Sequence, residues 1–394
     1  MGADRRKLWA LQGTTVLFWA SLYVYVPYLS PYLSSLGMSA SLIGYISSAY
    51  GAAMLVARIP IGVIADRLGK QKCFVLLGVL CAALSAVGMQ LSENPVTILL
   101  FRFLSGIAAA AWVSFVTLYS SYFQREQTTQ AVASLNMYAS LGRVAAAGIG
   151  ALSATAFGFR GVFLSGGVLG VTALLAGGFT RDLSEKSGES IQITRLLQVG
   201  KEKCLLFASL FGALNQMIAY ATTYTFTNTL AQRIGAGRME LAALQAITSV
   251  AGILAPLLLS TRLSRYLSEH FIVTLSFAML AVSQILFPFC RGFLALYALQ
   301  FLSGIGLGLG MVVLMALSIR DISEERRSTA MGYYQAVYSL GLVLGPVIMG
   351  YLVQYLGYTA AYIVIGLISA AAALCYIVCA YGKLNRANRK KKRL

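Results

Sequence analysis

Long apolar runs alternate with short polar turns along almost the whole chain. The runs cover residues 8–32, 40–65, 73–91, 96–123, 131–157, 160–180, 204–231, 240–260, 271–289, 293–318, 328–355 and 359–381. A helix needs about 20 apolar residues to cross the hydrocarbon core of a bilayer, and every run is about that long or longer. Strands of a membrane barrel take only about 10, which excludes that architecture. The pattern predicts an all-α membrane protein with twelve transmembrane helices.

Composition sharpens the picture. Of 394 residues, 58% are hydrophobic and 11% charged, whereas a soluble domain carries about 25% charged residues. The net charge of +18 raises nucleic acid as a partner, but its distribution argues against one. With alternate loops grouped, one side holds Arg5, Arg6, Lys7, Arg67, Lys70, Lys72, Arg125, Arg262, Arg265, Arg320, Arg326, Arg327, the linker and the tail. The other side holds Arg160, Arg233, Arg238 and Arg291. This is the positive-inside asymmetry. It predicts a multi-pass protein of a bacterial plasma membrane with both termini cytoplasmic, and a basic tail that also reaches anionic headgroups. Met1–Lys7 and the apolar run after it superficially resemble a signal peptide. The run is too long and continues through Pro27 and Pro31, so it reads as the first span.

The chain repeats itself. Arg102-Phe-Leu-Ser-Gly-Ile107 pairs with Gln300-Phe-Leu-Ser-Gly-Ile305, and Leu36-Gly37 with Ile234-Gly235, at one constant spacing. Asp66-Arg67 falls on Ser264-Arg265 at that same spacing. A six-span unit duplicated in the same orientation gives this register. The expected organisation is an N-terminal six-helix bundle (1–180), a cytoplasmic linker (181–203), a C-terminal six-helix bundle (204–382) and a basic tail (383–394). The bundles are related by a pseudo-twofold axis along the membrane normal. An amphipathic helix is expected near Ile191–Val199.

Three stretches carry a family resemblance. Gly62–Lys72 reads Gly-Val-Ile-Ala-Asp-Arg-Leu-Gly-Lys-Gln-Lys between two spans, the fourth span holds Arg102-Phe-Leu-Ser-Gly106, and the eleventh holds Gly341-Leu-Val-Leu-Gly345-Pro346-Val-Ile-Met-Gly350. With the span count and the parallel repeat, the chain resembles the major facilitator superfamily. The resemblance implies a secondary transporter whose two bundles rock about a central site. It implies gating roles for Gly62, Asp66, Arg67, Gly69, Gly345 and Pro346, with Asp66 contacting the start of the eleventh span near Ser328. The plainer reading of Asp66 is a turn cap. In the family's drug/proton antiporters a Gly-Pro signature belongs to the fifth span. Here Gly142–Gly148 carries no proline, which weakens that inheritance.

Candidate chemistry lies in the few polar residues inside spans. Arg58, Arg102 and Arg143 remain charged at any accessible pH, so each needs partners. Arg58 reads as gate scaffold. Arg102 matches the family's fourth-span arginine, associated with energy coupling or cavity polarity. Arg143 sits near mid-membrane and shares a helix face with Asn136 and Ser140. It is either a substrate contact or a structural residue bonded between helices. Gln216, Tyr220, Tyr224 and Asn228, each four apart, form a stripe on the seventh span. That stripe faces either a ligand or a neighbouring helix. Tyr25, Tyr28 and Tyr32, with Tyr334, Gln335 and Tyr338, extend the aromatic character.

The thirteen acidic residues fall in loops or at span ends, and His270 lies at a span boundary. A cavity holding arginines without a buried carboxylate attracts anions. The six cysteines lack metal-ligand spacing. Gly304–Gly310 has no following Lys-Ser/Thr and reads as helix packing. The expectation is a monomeric transporter of a small organic molecule, anionic or amphipathic, with export favoured. It needs no cofactor, binds no metal and is not an enzyme. Sugar or nutrient uptake is the rival activity. A transport-inactive receptor or a lipid-handling protein on the same scaffold is the rival class.

Overall fold

The computed structural model describes residues 2–124, 127–182, 200–260 and 267–391. The expected amphipathic helix near Ile191–Val199 lies outside them. The chain runs through α1 (Gly2–Tyr23), α2 (Val26–Ser35), α3 (Ala40–Leu68), α4 (Gln71–Leu91), α5 (Pro95–Ala110), α6 (Trp112–Ser120) and α7 (Thr128–Gly178). It continues through α8 (Lys203–Ala221), a π-helical segment Thr222–Phe226, and α9 (Thr227–Arg233). The last helices are α10 (Arg238–Ser260), α11 (Glu269–Leu286), α12 (Phe293–Arg320) and α13 (Glu324–Lys391).

Among the described residues, nine helical stretches are long and apolar enough to cross a membrane. Two of them, Gln130–Gly178 and Thr329–Cys379, are 49 and 51 residues long, far more than the roughly 20 that one crossing takes. Each is broken by a glycine in a conformation closed to other residues: Gly158 (φ 71°, ψ −162°) and Gly357 (φ 80°, ψ 169°). α7 and α13 are therefore each two arms joined at a sharp turn. The predicted first run is also divided, between α1 and α2 at Val24–Tyr25, just ahead of Pro27. Proline suits the first turn of a new helix, where its missing N–H costs nothing. α1 falls outside the nine because polar residues dilute it. Thr14 and Thr15 satisfy their hydroxyls on the carbonyls of Ala10 and Leu11.

Turn chemistry fixes the other boundaries. Ser39, Asn94 and Ser268 cap α3, α5 and α11 by accepting from Leu42, Val96 and Phe271 N–H, satisfying donors a helix start leaves open. Gly69 ends α3 in the left-handed conformation at φ 62°. The left-handed glycines also keep the repeat: Gly37 pairs with Gly235 and Gly158 with Gly357.

Helices before residue 182 pack on one another, chiefly α1 on α7, α3 on α5 and α4 on both α5 and α7. Helices after residue 200 do likewise, α8 and α11 on α13 and α12 on α10 and α11. The two sets meet along α3 with α13, α7 with α10, and α2 with α9 and α10. The α3–α13 contact is backbone-close. A Cβ on Gly44 would overlap the Pro346 carbonyl, and one on Gly350 would come within 2.7 Å of the Ala40 carbonyl oxygen. Glycine at such crossings admits the neighbouring helix.

The bonds across this seam cluster at the end holding the Gly37 turn. Tyr28 Oη donates to the Arg238 carbonyl at 3.1 Å, Arg238 Nη1 to the Ala154 carbonyl at 2.7 Å, and Ser41 N–H to Gln354 Oε1 at 3.2 Å. The Tyr45 and Tyr351 hydroxyls lie 2.6 Å apart, and Ser30 Oγ donates to the Thr225 carbonyl. Toward the opposite end, marked by Gly69, Arg58 Nη1 still bonds Tyr338 Oη across the sets, while several contacts nearest the turn hold within one set. Gln71 donates to Asp66 at 2.6 Å, Lys72 Nζ to the carbonyls of Gly178 and Thr180, and Arg320 pairs with Glu269 at 2.7 Å.

Gly357→Ala forces a side chain into a region only glycine occupies and should lower stability by about 1–3 kcal/mol. Gly148 is helical with nothing within 4 Å of its Cβ position. Gly148→Ala should be neutral or stabilising. Thermal unfolding in detergent compares the two; equal effects would contradict the two-arm reading of α13.

Candidate functional site

Between mid-depth and the Gly69 end, the two sets part around a cavity of about 340 Å³. From the first set, α1 contributes Trp19 and Tyr23, α3 Tyr50, Met54 and Arg58, α6 Trp112, and α7 Asn136, Ser140 and Arg143. From the second set, α8 contributes Gln216 and Tyr220, the π-helical segment Tyr224, α10 Gln245, Thr248 and Ser249, α12 Met311, and α13 Tyr338. No carboxylate is among the lining residues.

Arg143 is set by local helix geometry. Its Nη2 donates to Ser140 Oγ at 2.7 Å, one turn back, and Ser140 in turn donates to the Asn136 carbonyl at 2.9 Å. The guanidinium carbon lies 5.3 Å from the Trp19 ring centre and 5.8 Å from that of Tyr23. Aromatic faces stabilise a cation without neutralising it, so Arg143 keeps its charge and its remaining donors for the cavity. Arg58 is the second cavity cation. Its Nη1 donates to Tyr338 Oη at 2.9 Å, a bond from α3 to α13, and its Nε has no partner. Across the cavity, Gln216 Nε2 approaches Met311 Sδ at 2.7 Å.

Toward the Gly37 end a tyrosine layer closes the cavity. Tyr50 of the first set stacks on Tyr220 of the second at 6.1 Å with rings 15° apart. Tyr220 leans on Tyr224 at 5.0 Å, and Tyr224 meets Tyr23 edge-on at 6.5 Å. Such ring pairs add about 0.5–1.5 kcal/mol each beyond area burial, so the layer also joins the sets. Behind it lies a second, much smaller void bounded by the same four tyrosines and by Arg102.

The predicted candidates therefore separate. Arg143, Asn136, Gln216, Tyr220, Tyr224 and Tyr338 share the cavity wall. Arg102 does not; it is 6% exposed and sits behind the tyrosine layer. Tyr25 is fully buried, stacked on Phe163 at 5.6 Å. Tyr334 is buried beneath Gly212 and reaches only the edge of Tyr338, and Gln335 is not on the wall either. The reason is the tight contact of α13 with α8, where Gly341 and Gly345 sit against the carbonyls of Ala213 and Met217. Asn228 also leaves the stripe. The π-helical turn at Thr222–Phe226 inserts one residue, and one extra residue turns everything after it by about 100°. Asn228 ends 2% exposed.

The gating candidates are placed as follows. Gly62 is buried near Val113, Arg67 is exposed, and Asp66 accepts from Gln71 across the turn that Gly69 makes. The Ser328 side chain lies outside the described residues. Gly345 meets α8, and the carbonyl of Pro346 meets Gly44 of α3.

Several wall residues escape a reading of the sequence. Gln245, Thr248, Ser249 and Gly252 fall at helical spacing on α10 and make a polar stripe that could have been found by the same rule as the stripe on α8. Trp19 and Tyr23 are one turn apart, yet look like ordinary membrane aromatics. Arg58 reaches Tyr338 only because α3 and α13 cross.

In a background with its six cysteines replaced, Asn136→Cys should react with a soluble thiol reagent at least about tenfold faster than Ser30→Cys, which is buried at the Gly37 end. Equal rates in detergent would contradict a cavity closed at that end.

Comparison with known proteins places this architecture. The sequence profile of the Major Facilitator Superfamily matches residues 13–290 and again 208–394. An uncharacterised MFS-type transporter of Methanocaldococcus jannaschii is 24% identical over 394 residues, covering 94% of this chain and 98% of that one. A multi-drug resistance efflux pump PmrA homolog of Lactococcus lactis is 23% identical over 354 residues, covering 87% of each. Among solved structures, a bacterial homolog of the human lysosomal transporter Spinster, inward-facing and occupied, superposes with a TM-score of 0.78 at 16% identity. That match covers 95% of this chain and 96% of the other. The chain belongs to the Major Facilitator Superfamily: it is a multi-pass membrane transporter and not an enzyme.

Proposed function

We propose that the chain is a twelve-span transporter of two six-helix bundles that exports a small organic anion or zwitterion bearing an aromatic part. The two arms of α7 and of α13, with α1–α2 as one broken span, support that count. The paired left-handed glycines and the repeated sequence blocks support two like bundles, and the contact pattern supports a seam between them. Positive-inside asymmetry supports a cytoplasmic Gly69 end and cytoplasmic termini. The bonded Gly37 end then faces outward, and this is the inward-facing state.

The observation that carries the substrate class is Arg143. It is a permanently charged side chain on the cavity wall, backed by Trp19 and Tyr23, with no carboxylate on that wall. A desolvated guanidinium gains most from an anion. Trp19 and Trp112, edge to face at 5.3 Å, offer aromatic surface beside the charge. Gln216 and Gln245 on the opposite wall provide amides for orientation. The efflux name of the Lactococcus relative supports the outward direction. Bundle rocking would open the seam at the Gly37 end and close it at the Gly69 end. There the Asp66–Gln71 bond stiffens the turn on which α3 and α4 must move together.

Two measurements test this. In proteoliposomes, Arg143→Gln should slow flux of an aromatic carboxylate substrate by about 10- to 100-fold, and Arg143→Lys less, since a charge-assisted bond is worth about 1.5–3 kcal/mol. Unchanged flux in Arg143→Gln would overturn the anion reading and favour the rival, uptake of a hydroxyl-rich nutrient held by the amides. Asp66→Asn should lower flux without changing substrate affinity in detergent. A loss of affinity equal to the loss of flux would remove Asp66 from gating.

A further inference from the structure

Arg102 poses a problem the cavity does not solve. It is 6% exposed, and its charge cannot be titrated away. Among the described residues no carboxylate pairs with it. Its only hydrogen-bond partner is Ser105 Oγ at a marginal 3.5 Å, and that hydroxyl itself donates to the Arg102 carbonyl at 2.6 Å. Nε has no partner at all. The guanidinium carbon lies 4.7 Å from the centre of the Tyr50 ring and 5.9 Å from that of Tyr25. The buried Tyr25 hydroxyl is also without a partner. Ring faces soften the loss of hydration, but they supply no counter-charge. A buried cation in that position is strongly destabilising unless something negative joins it.

The void behind the tyrosine layer is where that partner fits. It is bounded by Arg102, Tyr23, Tyr50, Tyr220 and Tyr224, with apolar Leu22 and Val26 completing the wall. Its volume is about 10 Å³, which is about one water-sized sphere. An organic substrate is excluded by size; a halide ion, somewhat larger than a water, enters with a small outward shift of the surrounding rings. The polar side chains around it are a guanidinium and tyrosines, whose hydroxyls can donate, with no carboxylate among them. The second half differs in charge. Where the first has Arg102, the repeat has Gln300, whose Nε2 donates to Thr248 Oγ1 at 2.7 Å and whose Oε1 has no partner. The neutral copy leaves an acceptor open, whereas the charged copy leaves a donor and a full positive charge.

We propose that this void is a halide-sized anion site, in which chloride held by Arg102 supplies the missing charge while the tyrosine layer is closed. The site is separate from the substrate cavity, although Tyr23, Tyr50, Tyr220 and Tyr224 line both. Occupancy therefore favours the closed layer, and opening the Gly37 end must release or expose the anion. The proposal rests on Arg102 and not on the substrate reading of Arg143.

The test is thermal unfolding of the purified protein, titrated with sodium chloride against sodium gluconate at constant ionic strength. Wild type and Arg143→Gln should both show a saturable rise of roughly 2–4 °C with chloride. Arg102→Gln, which copies the other half, should show none. Should Arg102→Gln fail to fold, Tyr50→Ala, which opens the void, should weaken the chloride response at least about tenfold. Crystals grown in bromide should give anomalous density beside Arg102. A rise that survives Arg102→Gln, or wild type with neither chloride response nor bromide density, would overturn the site. Loss of the rise in Arg143→Gln alone would assign the anion to the substrate cavity and overturn it equally. Arg143→Gln that keeps the chloride response while transporting normally would sink only the substrate reading.

Discussion

A guanidinium inside a bilayer cannot shed its charge, and the surroundings of this chain's interior arginines follow from that constraint. Desolvating a cation costs several kcal/mol even after relaxation. The described carboxylates lie at helix ends, so the protein compensates with aromatic rings, hydroxyls and water-filled space. Arg143 has Trp19, Tyr23 and Ser140. Arg58 has Tyr338. Arg102 has Tyr50 and Tyr25 and little else. The cavity is positive because its cations are stabilised without being cancelled, and the proposed anionic substrate rests on that sign.

The second constraint is backbone proximity. Glycines let α3 and α13 touch at the Gly37 end, and the tyrosine layer and the interset hydrogen bonds complete that seal. Nearest the Gly69 turn, polar contacts such as Gln71–Asp66 and Arg320–Glu269 fasten each set to itself. The asymmetry leaves one seam closed and one open. The seal consists of many small contacts rather than one strong one, which suits the proposed exchange for a similar set at the other end.

Much of the fold was legible from hydropathy, because lipid forces each span to announce itself as a run of apolar residues. The breaks were legible only in part. Gly158 and Gly357 lie inside the predicted gaps, whereas the division of the first span at Val24–Tyr25 gave no polar signal. The site was less legible. Arg143, Asn136 and Ser140 could be grouped from one helix's periodicity. Tyr25, Tyr334 and Gln335 lie off the cavity wall because that periodicity does not say which helix leans on the face. Asn228 turns to a neighbouring helix, one of the two readings of its stripe, because the π-helical turn breaks the period itself. Arg102 and Arg143 look alike as letters, and only the tyrosine layer between them separates their environments.

The proposed cavity selects by the sign of charge. Trp19 and Trp112 line it, so their fluorescence reports occupancy of the purified protein directly. Aromatic carboxylates can be titrated against amides and amines of the same shape. Saturable quenching by the carboxylates is expected at concentrations at least about tenfold below those needed for the amines. Amines that bind as tightly as the carboxylates would contradict it.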